Sequence, residues 1–188
     1  MKKFLRKIKA TALSCVCLFA VAFPLFFACS KSEAEQLKVN VWAARGTEKI
    51  MRANDYSSRY EDKTLQIKAF RNEHEAAQAI VSANRKVFYE FFTNDLADEN
   101  GNVLPKEAFT VYNEKYITVE TKRNVECLLG TGDYPDALLP YEKAVEYKEN
   151  YVAANQNQGL WVSVCPSKEQ AAGTYTGNFE VKIEDVSY

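Results

Sequence analysis

The sequence has 188 residues, 47% of them hydrophobic, with 24 Lys and Arg residues against 25 Asp and Glu residues. This size fits a single domain with a substantial buried core. The 26% charged and 13% aromatic residues exclude a disordered, collagen-like or coiled-coil chain. Residues 1–28 hold five basic residues and no acidic one, which leaves 19 basic and 25 acidic residues, a net charge of −6, on the other 160. This mild acidity excludes nucleic acid as the expected partner.

The first 28 residues have the pattern of a secretory signal peptide. Basic residues come first, and an apolar run from Ala10 to Ala28 follows them, which predicts export from the cytoplasm. The run contains Pro24 and is only just long enough to cross a bilayer of roughly 30 Å. A retained membrane anchor is therefore an alternative to removal of this segment.

The end of the apolar run indicates a lipid anchor. The residues Phe26-Phe27-Ala28-Cys29-Ser30 are similar to the lipobox of bacterial lipoproteins, which makes Cys29 the predicted lipidation site. Ordinary cleavage without lipidation is the alternative. We expect residues 29–36 to form a polar tether, and residues 37–188 to form one domain in the cell envelope, outside the cytoplasm, with the membrane as a partner through Cys29.

The remaining cysteines leave their oxidation state open. Cys127 and Cys165 lie beyond the leader, in a compartment that permits disulfides, and the sequence is compatible with either a disulfide or two buried thiols. The single histidine, His74, and the absence of a Cys-x-x-Cys pair leave no ligand set for zinc. No metal site and no cofactor are predicted.

Strand patterns dominate residues 37–188. In chain order the predicted strands are Leu37–Val41, Leu65–Ala69, Ala76–Val81, Val87–Phe92, Phe109–Tyr112, Tyr116–Val119, Ala144–Tyr147, Leu160–Val164 and Phe179–Ile183. No long window has a 3.6-residue apolar period bounded by caps, so helices should be few and short. Short strands without crossover helices indicate an all-β fold, an antiparallel β-sandwich of about eight or nine strands.

Turn-forming residues separate these strands. The polar stretch 52–63 is predicted to be a mobile loop, and Gly177, inside a strand pattern, to mark a bulge. Tyr134–Pro140 is predicted to be a rigid loop, because Pro135 and Pro140 fix φ and Asp136 can cap a turn. Its two leucines, Leu138 and Leu139, are expected to cover the edge of the sandwich.

Three motifs follow one another in the chain and carry a family resemblance. They are Arg71-Asn72-Glu73-His74-Glu75-Ala76-Ala77-Gln78, then Tyr134 to Pro140, then Asn155 to Val164, running to Pro166 and Gly173-Thr174-Tyr175-Thr176-Gly177. This series resembles the N-terminal β-sandwich that precedes the catalytic barrel in bacterial glycoside hydrolases related to family 123. The resemblance extends from about Val41 to Val186.

The resemblance implies a scaffold rather than an enzyme. In the enzymes that the sequence resembles, the barrel follows the sandwich and supplies the catalytic acids, so no catalytic residue is expected in this chain, which ends at Tyr188. The expected function is that of a non-catalytic accessory β-sandwich of an exported glycoside hydrolase-like lipoprotein, a truncated relative without the barrel. A separate catalytic domain or a glycan is then an expected partner. The alternative is a free-standing surface lipoprotein that binds carbohydrate or protein.

The first motif has a structural and a catalytic interpretation. Asn72 and Glu73 can bond backbone amides at a corner, and Gln78 can join two neighbouring chains. Glu73 and Glu75 on an extended chain would be about 6–7 Å apart, between the usual spacings of retaining and inverting glycosidases. A strand entry without a pocket signal favours the structural interpretation, with His74 facing solvent.

Trp161 is the candidate glycan contact. It alternates with Leu160 and Val162, so it faces away from them and either packs against the core or a neighbouring domain, or is exposed. An exposed indole beside the amides of Gln156, Asn157 and Gln158 would suit a sugar, through stacking and directed hydrogen bonds. Packing is the favoured alternative, since sandwich strands often carry a buried tryptophan.

Overall fold

The computed structural model describes residues 35–120 and 130–188, within which Gln36–Tyr188 belong to one compact unit. The predicted signal peptide, Cys29 and Cys127 lie outside the described residues. The strands are β1 (Val39–Arg45), β2 (Glu75–Ala83), β3 (Val87–Phe88), β4 (Glu90–Phe92), β5 (Leu96–Ala97), β6 (Val103–Leu104), β7 (Phe109–Val119), β8 (Gly132–Pro140), β9 (Tyr151–Val152), β10 (Gln156–Val164), β11 (Glu180–Ile183) and β12 (Val186–Ser187). The helix α1 (Tyr141–Glu146) and two 3₁₀ turns, Ser57–Arg59 and Lys106–Ala108, complete the described elements.

Two sheets form the body of the domain. The larger has the order β1-β2-β10-β7-β8 with antiparallel neighbours, and the smaller has the order β12-β11-β4. Two short pairs, β3 with β9 and β5 with β6, flank them. Because side chains alternate along each strand, the larger sheet has two distinct faces.

One face of the larger sheet carries the main hydrophobic core. Val81 on β2 and Leu160 and Val162 on β10 are fully buried there, and they share a cluster with Val181 and Ile183 of the smaller sheet. Burial of such a side chain contributes about 1.5–3 kcal/mol. The prediction of an all-β antiparallel sandwich with few, short helices is confirmed, and five of the twelve described strands are only two residues long.

Residues 46–63, which we name the covering layer, lie over the opposite face of the larger sheet. Ile50 is buried with Trp42 and Ile80 of the sheet, and Tyr56 and Tyr60 pack against this cluster. The Trp42 and Tyr56 rings are 5.4 Å apart between centroids. Residues 52–63 were predicted from their polar composition to form a mobile loop. They belong instead to a layer that packs on the sheet through its few aromatic and apolar residues.

The second motif does not form a loop. Tyr134–Pro140 lies in β8, at the edge of the larger sheet, where a proline removes no hydrogen bond needed by a second neighbour. Leu138 is 45% exposed, so the expectation that it covers the edge of the sandwich is wrong. Leu139 is half-buried.

Four other local predictions are wrong. Ala144–Tyr147 falls largely in α1, where Ala144 is buried and Val145 exposed, as in a helix with one packed side. The predicted strands Phe109–Tyr112 and Tyr116–Val119 are one strand, β7, with a bulge at Lys115 and Tyr116. Gly177 lies outside every described strand, and a Cβ there would be 2.4 Å from Cδ2 of Leu96. Leu65–Ala69 alternates in burial but pairs with no described strand.

Candidate functional site

A buried polar cluster lies between the larger sheet and the covering layer. Its members are Gln78 and Ser82 on β2, Glu114 on β7 and Asn157 on β10, each at most 5% exposed. The registers of the three strands put these four side chains on the same face. Buried polar groups need partners, so their hydrogen bonds show what the cluster does.

Asn157 attaches the covering layer to the sheet. Its Nδ2 donates to three carbonyl oxygens within Met51–Asn54 at 2.9 to 3.2 Å. Its Oδ1 accepts a 2.7 Å hydrogen bond from Ser82 Oγ, which in turn accepts one from Trp42 Nε1. One amide therefore fixes a turn of the covering layer, and it is itself fixed by the sheet.

Gln78, a residue of the first motif, holds the start of the covering layer. Its Nε2 donates to the carbonyl oxygens of Arg45 and Glu48, at 2.7 and 2.8 Å. Its Oε1 is buried and has no hydrogen-bond partner among the described residues. The side chain thus joins β2 to the chain that follows β1, as the structural interpretation of the motif requires.

Glu114 is the most unusual residue of the cluster. It is 3% exposed, and its Oε2 has no hydrogen-bond partner among the described residues. Burial raises the pKa of this carboxyl from 4.5 to about 7, against the opposing attraction of the Lys49 ammonium. A Cβ on Gly159 would lie 2.0 Å from Oε2, so only glycine leaves room for the carboxylate there.

Tyr116 and Arg52 continue the polar cluster toward β8. The guanidinium carbon of Arg52 is 4.9 Å from the centroid of the Tyr116 ring, a cation–π distance. Arg52 Nε and the Tyr116 hydroxyl are buried and have no hydrogen-bond partner among the described residues. Burial raises the pKa of the Tyr116 hydroxyl, so it stays protonated at neutral pH.

The predicted glycan contacts do not lie together on the surface. Trp161 and Gln156 are half-buried, and a Cβ on Gly46 would be 3.3 Å from Cη2 of Trp161, so the indole packs on this part of the covering layer. Asn157 and Gln158 are 4% and 2% exposed. The prediction is wrong for these two amides, because successive strand residues face opposite sides and both are bonded internally.

Gln158 contributes to the main core side of the sheet instead. It lies opposite Val81, and its Nε2 donates to the carbonyl oxygen of Glu114 at 2.7 Å and to that of Gly159 at 3.0 Å. The Nε2 group is therefore bonded to the backbone of both β7 and β10. A glycan could reach it only if these bonds were broken.

The first motif forms a corner. Glu73 Oε2 accepts a 2.7 Å hydrogen bond from the Phe70 amide, and the Asn72 amide donates one of 2.7 Å to the Pro166 carbonyl oxygen. Asn72 has φ of 60°, a left-handed conformation that asparagine adopts more readily than most residues. His74 and Glu75 are exposed. Glu73 is thus a bonded corner residue beside a solvent-facing Glu75.

The residues of the second motif also have structural positions. Pro135 lies opposite Tyr116, and Pro140 opposite Tyr112, in the pairing of β8 with β7. Asp136 forms an ion pair with Lys49 of the covering layer, so it joins two elements and does not cap a turn as predicted.

A groove of about 980 Å³ lies along Thr64–Arg71, a feature that sequence reasoning missed. The opposite wall is formed by Gln170–Thr176, and Phe109, Val164 and Phe179 contribute apolar surface. Phe70, at the rim, is 81% exposed. The signals present in the sequence were the alternating segment Leu65–Ala69 and the third motif, but their proximity depends on the fold.

Within residues 35–120 and 130–188, no group of three or more His, Cys, Asp or Glu residues could hold a metal ion. Nor does that part of the chain contain a helix long and apolar enough to span a bilayer. Cys165 is half-buried and forms no disulfide with a described residue, and Cys127 lies outside the described residues.

The fold described above is that of a β-sandwich domain whose corners are fixed by residues of the sequence motifs. Comparison with known proteins identifies its family. The family described as "Glycoside hydrolase 123 N-terminal domain" matches residues 32–183, so the chain belongs to this family. No curated protein sequence matches the chain.

A solved structure shows the same fold. It is a family 123 glycoside hydrolase from Clostridium perfringens, studied for the hydrolysis of glycolipid glycans, and it matches with a TM-score of 0.61 and 14% identity. The match covers 80% of this chain and 26% of that enzyme, so the chain corresponds to about a quarter of its length.

Proposed function

We propose that this domain is a non-catalytic accessory β-sandwich of an exported, glycoside hydrolase-like lipoprotein. The proposal rests on one observation: polar residues of the first motif form hydrogen bonds with the backbone of the domain itself. Glu73 bonds the Phe70 amide, and Gln78 bonds the carbonyl oxygens of Arg45 and Glu48. These side chains hold corners and loops of the domain in place.

The placement of the carboxylates supports the same proposal. A glycosidase needs two carboxyl groups on either side of a sugar, roughly 5–9.5 Å apart. Glu73 is bonded to the backbone at a corner, and Glu114 lies beneath the covering layer at 3% exposure. The Glu73 carboxylate is engaged by the backbone, and the Glu114 carboxyl is closed off from a saccharide.

The partner that we propose is a catalytic domain that acts on a glycan. The structurally similar enzyme acts on glycolipid glycans, and a domain of this fold makes up about a quarter of it. A sandwich whose corners are fixed by hydrogen bonds is suited to act as a rigid neighbour of such a domain.

The direct test is a hydrolysis assay on the purified full chain. Glycolipid glycans and a panel of other oligosaccharides are incubated with the wild-type protein and with Glu73→Gln, and released sugars are quantified. We expect no release by either protein. Release by the wild type that disappears in the variant would refute the proposal.

We further propose that the protein is anchored in the cell envelope by a lipid on Cys29. The lipobox-like segment that ends in Cys29 and the polar residues behind it support this proposal. Cells fed an alkyne-bearing fatty acid should label the wild-type protein but not Cys29→Ser. Equal labelling of both, or labelling of neither, would contradict lipidation at this residue.

The alternative function, glycan binding by a surface lipoprotein, rests on one observation. Trp161 is only half-buried and lies directly opposite Tyr112 in the pairing of β10 with β7, so two aromatic rings share one face. A glycan-array signal that is lost in Trp161→Ala would favour this alternative. No signal for any glycan would count against it.

A further inference from the structure

The wall of the 980 Å³ groove contains a strand-like segment without a neighbour. Thr64–Ala69 runs without helix, turn, bend or β-bridge, although it follows a stretch that packs on the sheet. Its backbone N–H and C=O groups form no hydrogen bond with any described residue. Such groups in a protein are nearly always paired or solvated, and a row of them on an extended chain is a template for another strand.

The side chains of this segment alternate as in a true strand. Leu65, Ile67 and Ala69 are half-buried, whereas Gln66 and Lys68 are exposed. The alternation explains why the sequence predicts a strand here. What is missing is a hydrogen-bonded neighbour among the described residues.

Two polar side chains of the opposite wall are already used within the domain. Gln170 Nε2 donates to the Val103 carbonyl oxygen at 3.0 Å and to the Tyr175 hydroxyl at 2.7 Å. The Tyr175 hydroxyl in turn donates to the Ala171 carbonyl oxygen at 2.7 Å. A sugar would need such side chains as partners, whereas a peptide strand would need the free backbone of Thr64–Ala69.

The charged and apolar residues of the groove indicate which kind of ligand would fit it. Among the residues that the structure describes, the charged ones that line the groove are Lys68 and Arg71, both basic. Phe70 lies between Ala69 and Arg71 with 81% of its surface exposed, so it adds an accessible phenyl ring to the apolar residues of the groove. An occupant with apolar and acidic residues would satisfy both features.

We propose that the groove binds an extended peptide segment of a partner protein, which adds a strand along Thr64–Ala69. The segment has apolar residues at alternate positions and at least one acidic residue, which pairs with Lys68 or Arg71. Six residues of strand span about 20 Å, so the complementary segment has about six residues. This inference goes beyond the proposed function and does not depend on it.

The first test is a binding selection with the full chain. The probe is a synthetic library of octapeptides in which Val, Ile, Leu or Phe alternates with Thr, and one Thr is replaced by Asp or, in a matched pool, by Lys. We expect enrichment from the Asp pool and little from the Lys pool. No enrichment from either pool would overturn the proposal.

Backbone pairing is tested on the best peptide of that selection. Two versions of this peptide are made, one N-methylated at the odd-numbered residues and one at the even-numbered residues. Each version lacks the N–H groups along one edge of the peptide strand. We expect one version to bind at least about tenfold more weakly, because it loses several hydrogen bonds to the segment. Unchanged affinity of both versions would overturn strand addition.

Protein variants locate the peptide. Phe70→Ala should weaken binding about tenfold, whereas Phe88→Ala, at another exposed phenylalanine outside the groove, should not change it. The double variant Lys68→Glu with Arg71→Glu should reverse the preference between the Asp and the Lys peptide. Equal affinity of wild type and Phe70→Ala would place the peptide elsewhere and overturn the proposal.

Two other occupants are outcomes of the same experiment. Displacement of the peptide by soluble oligosaccharides would show that the groove is a glycan site. Concentration-dependent dimerisation of the wild type that is absent in Phe70→Ala would show that a second copy fills the groove. Either result would overturn the proposal of a partner peptide.

Discussion

Replacement of Glu114 by glutamine should change how the stability of the domain depends on pH. The carboxyl is 3% exposed, lacks a partner for Oε2 among the described residues, and has a pKa raised from 4.5 to about 7 by burial. A pKa raised on folding means that the folded state binds the proton more tightly than the unfolded state. The contribution to stability is complete below about pH 4.5 and is lost as the pH rises to about 7.

The expected magnitude follows from the shift. One pKa unit corresponds to about 1.4 kcal/mol, so the rise from 4.5 to about 7 corresponds to a loss of roughly 3 kcal/mol between pH 4.5 and pH 8. Glutamine has nearly the same shape and no charge. The Glu114→Gln variant should therefore be more stable than the wild type by about 1 kcal/mol at pH 5 and by roughly 3 kcal/mol at pH 8.

The assay is urea unfolding of both proteins at unit pH intervals from 5 to 8. Glu169→Gln, at an exposed position, is the matched control and should follow the wild type throughout. Parallel curves of wild type and Glu114→Gln across this range would refute the reasoning, because the buried carboxyl would then have no special proton affinity.

Two further substitutions test the packing of the polar cluster. Gly159→Ala places a Cβ 2.0 Å from Glu114 Oε2 and should cost about 1–3 kcal/mol of unfolding free energy. The double variant Gly159→Ala with Glu114→Ala should recover much of this loss, because the clashing carboxylate is removed. A Gly159→Ala protein as stable as the wild type would contradict the close packing. Gln78→Leu removes the Nε2 donor from the carbonyl oxygens of Arg45 and Glu48 and should cost about 1–2 kcal/mol in urea unfolding. Gln66→Leu, at an exposed position, should cost less than about 0.5 kcal/mol, and equal costs would contradict the role of Gln78.

The sheet strands could be predicted because apolar residues alternate with polar ones along them. The segments Ala76–Val81, Leu160–Val164 and Phe179–Ile183 all lie in or beside strands of the structure. β8 could not be predicted in this way, because its two prolines normally indicate a loop. They are tolerated at a sheet edge, and edge position depends on strand order, which the sequence does not encode locally.

The covering layer and the burial of Glu114 could not be predicted from the sequence either. Residues 46–63 are mostly polar, and only a few side chains, such as Ile50 and Tyr56, attach them to the sheet. Glu114 lies between two segments that were predicted as separate strands, and its burial follows from the registers of β7 and β10 together with the position of the covering layer. Long-range pairing of this kind has no signature in a short window of sequence.

For the segment that lines the groove, the predicted alternation is correct and the predicted strand pairing is wrong. Leu65–Ala69 has the alternation of a strand, and its side chains are half-buried at alternate positions. Alternation predicts that one side of a chain is covered, but it does not predict a hydrogen-bonded neighbour. The difference between the two is what makes this segment a candidate binding site.

The central claim, that the polar motif residues are structural, is tested most directly by the free energy of unfolding of Glu73→Ala compared with Glu75→Ala. Glu73 Oε2 accepts a 2.7 Å hydrogen bond from the Phe70 amide, whereas its neighbour Glu75 is exposed. We predict that Glu73→Ala loses about 1–2 kcal/mol and that Glu75→Ala changes by less than about 0.5 kcal/mol. Equal stability of the two variants would contradict the claim.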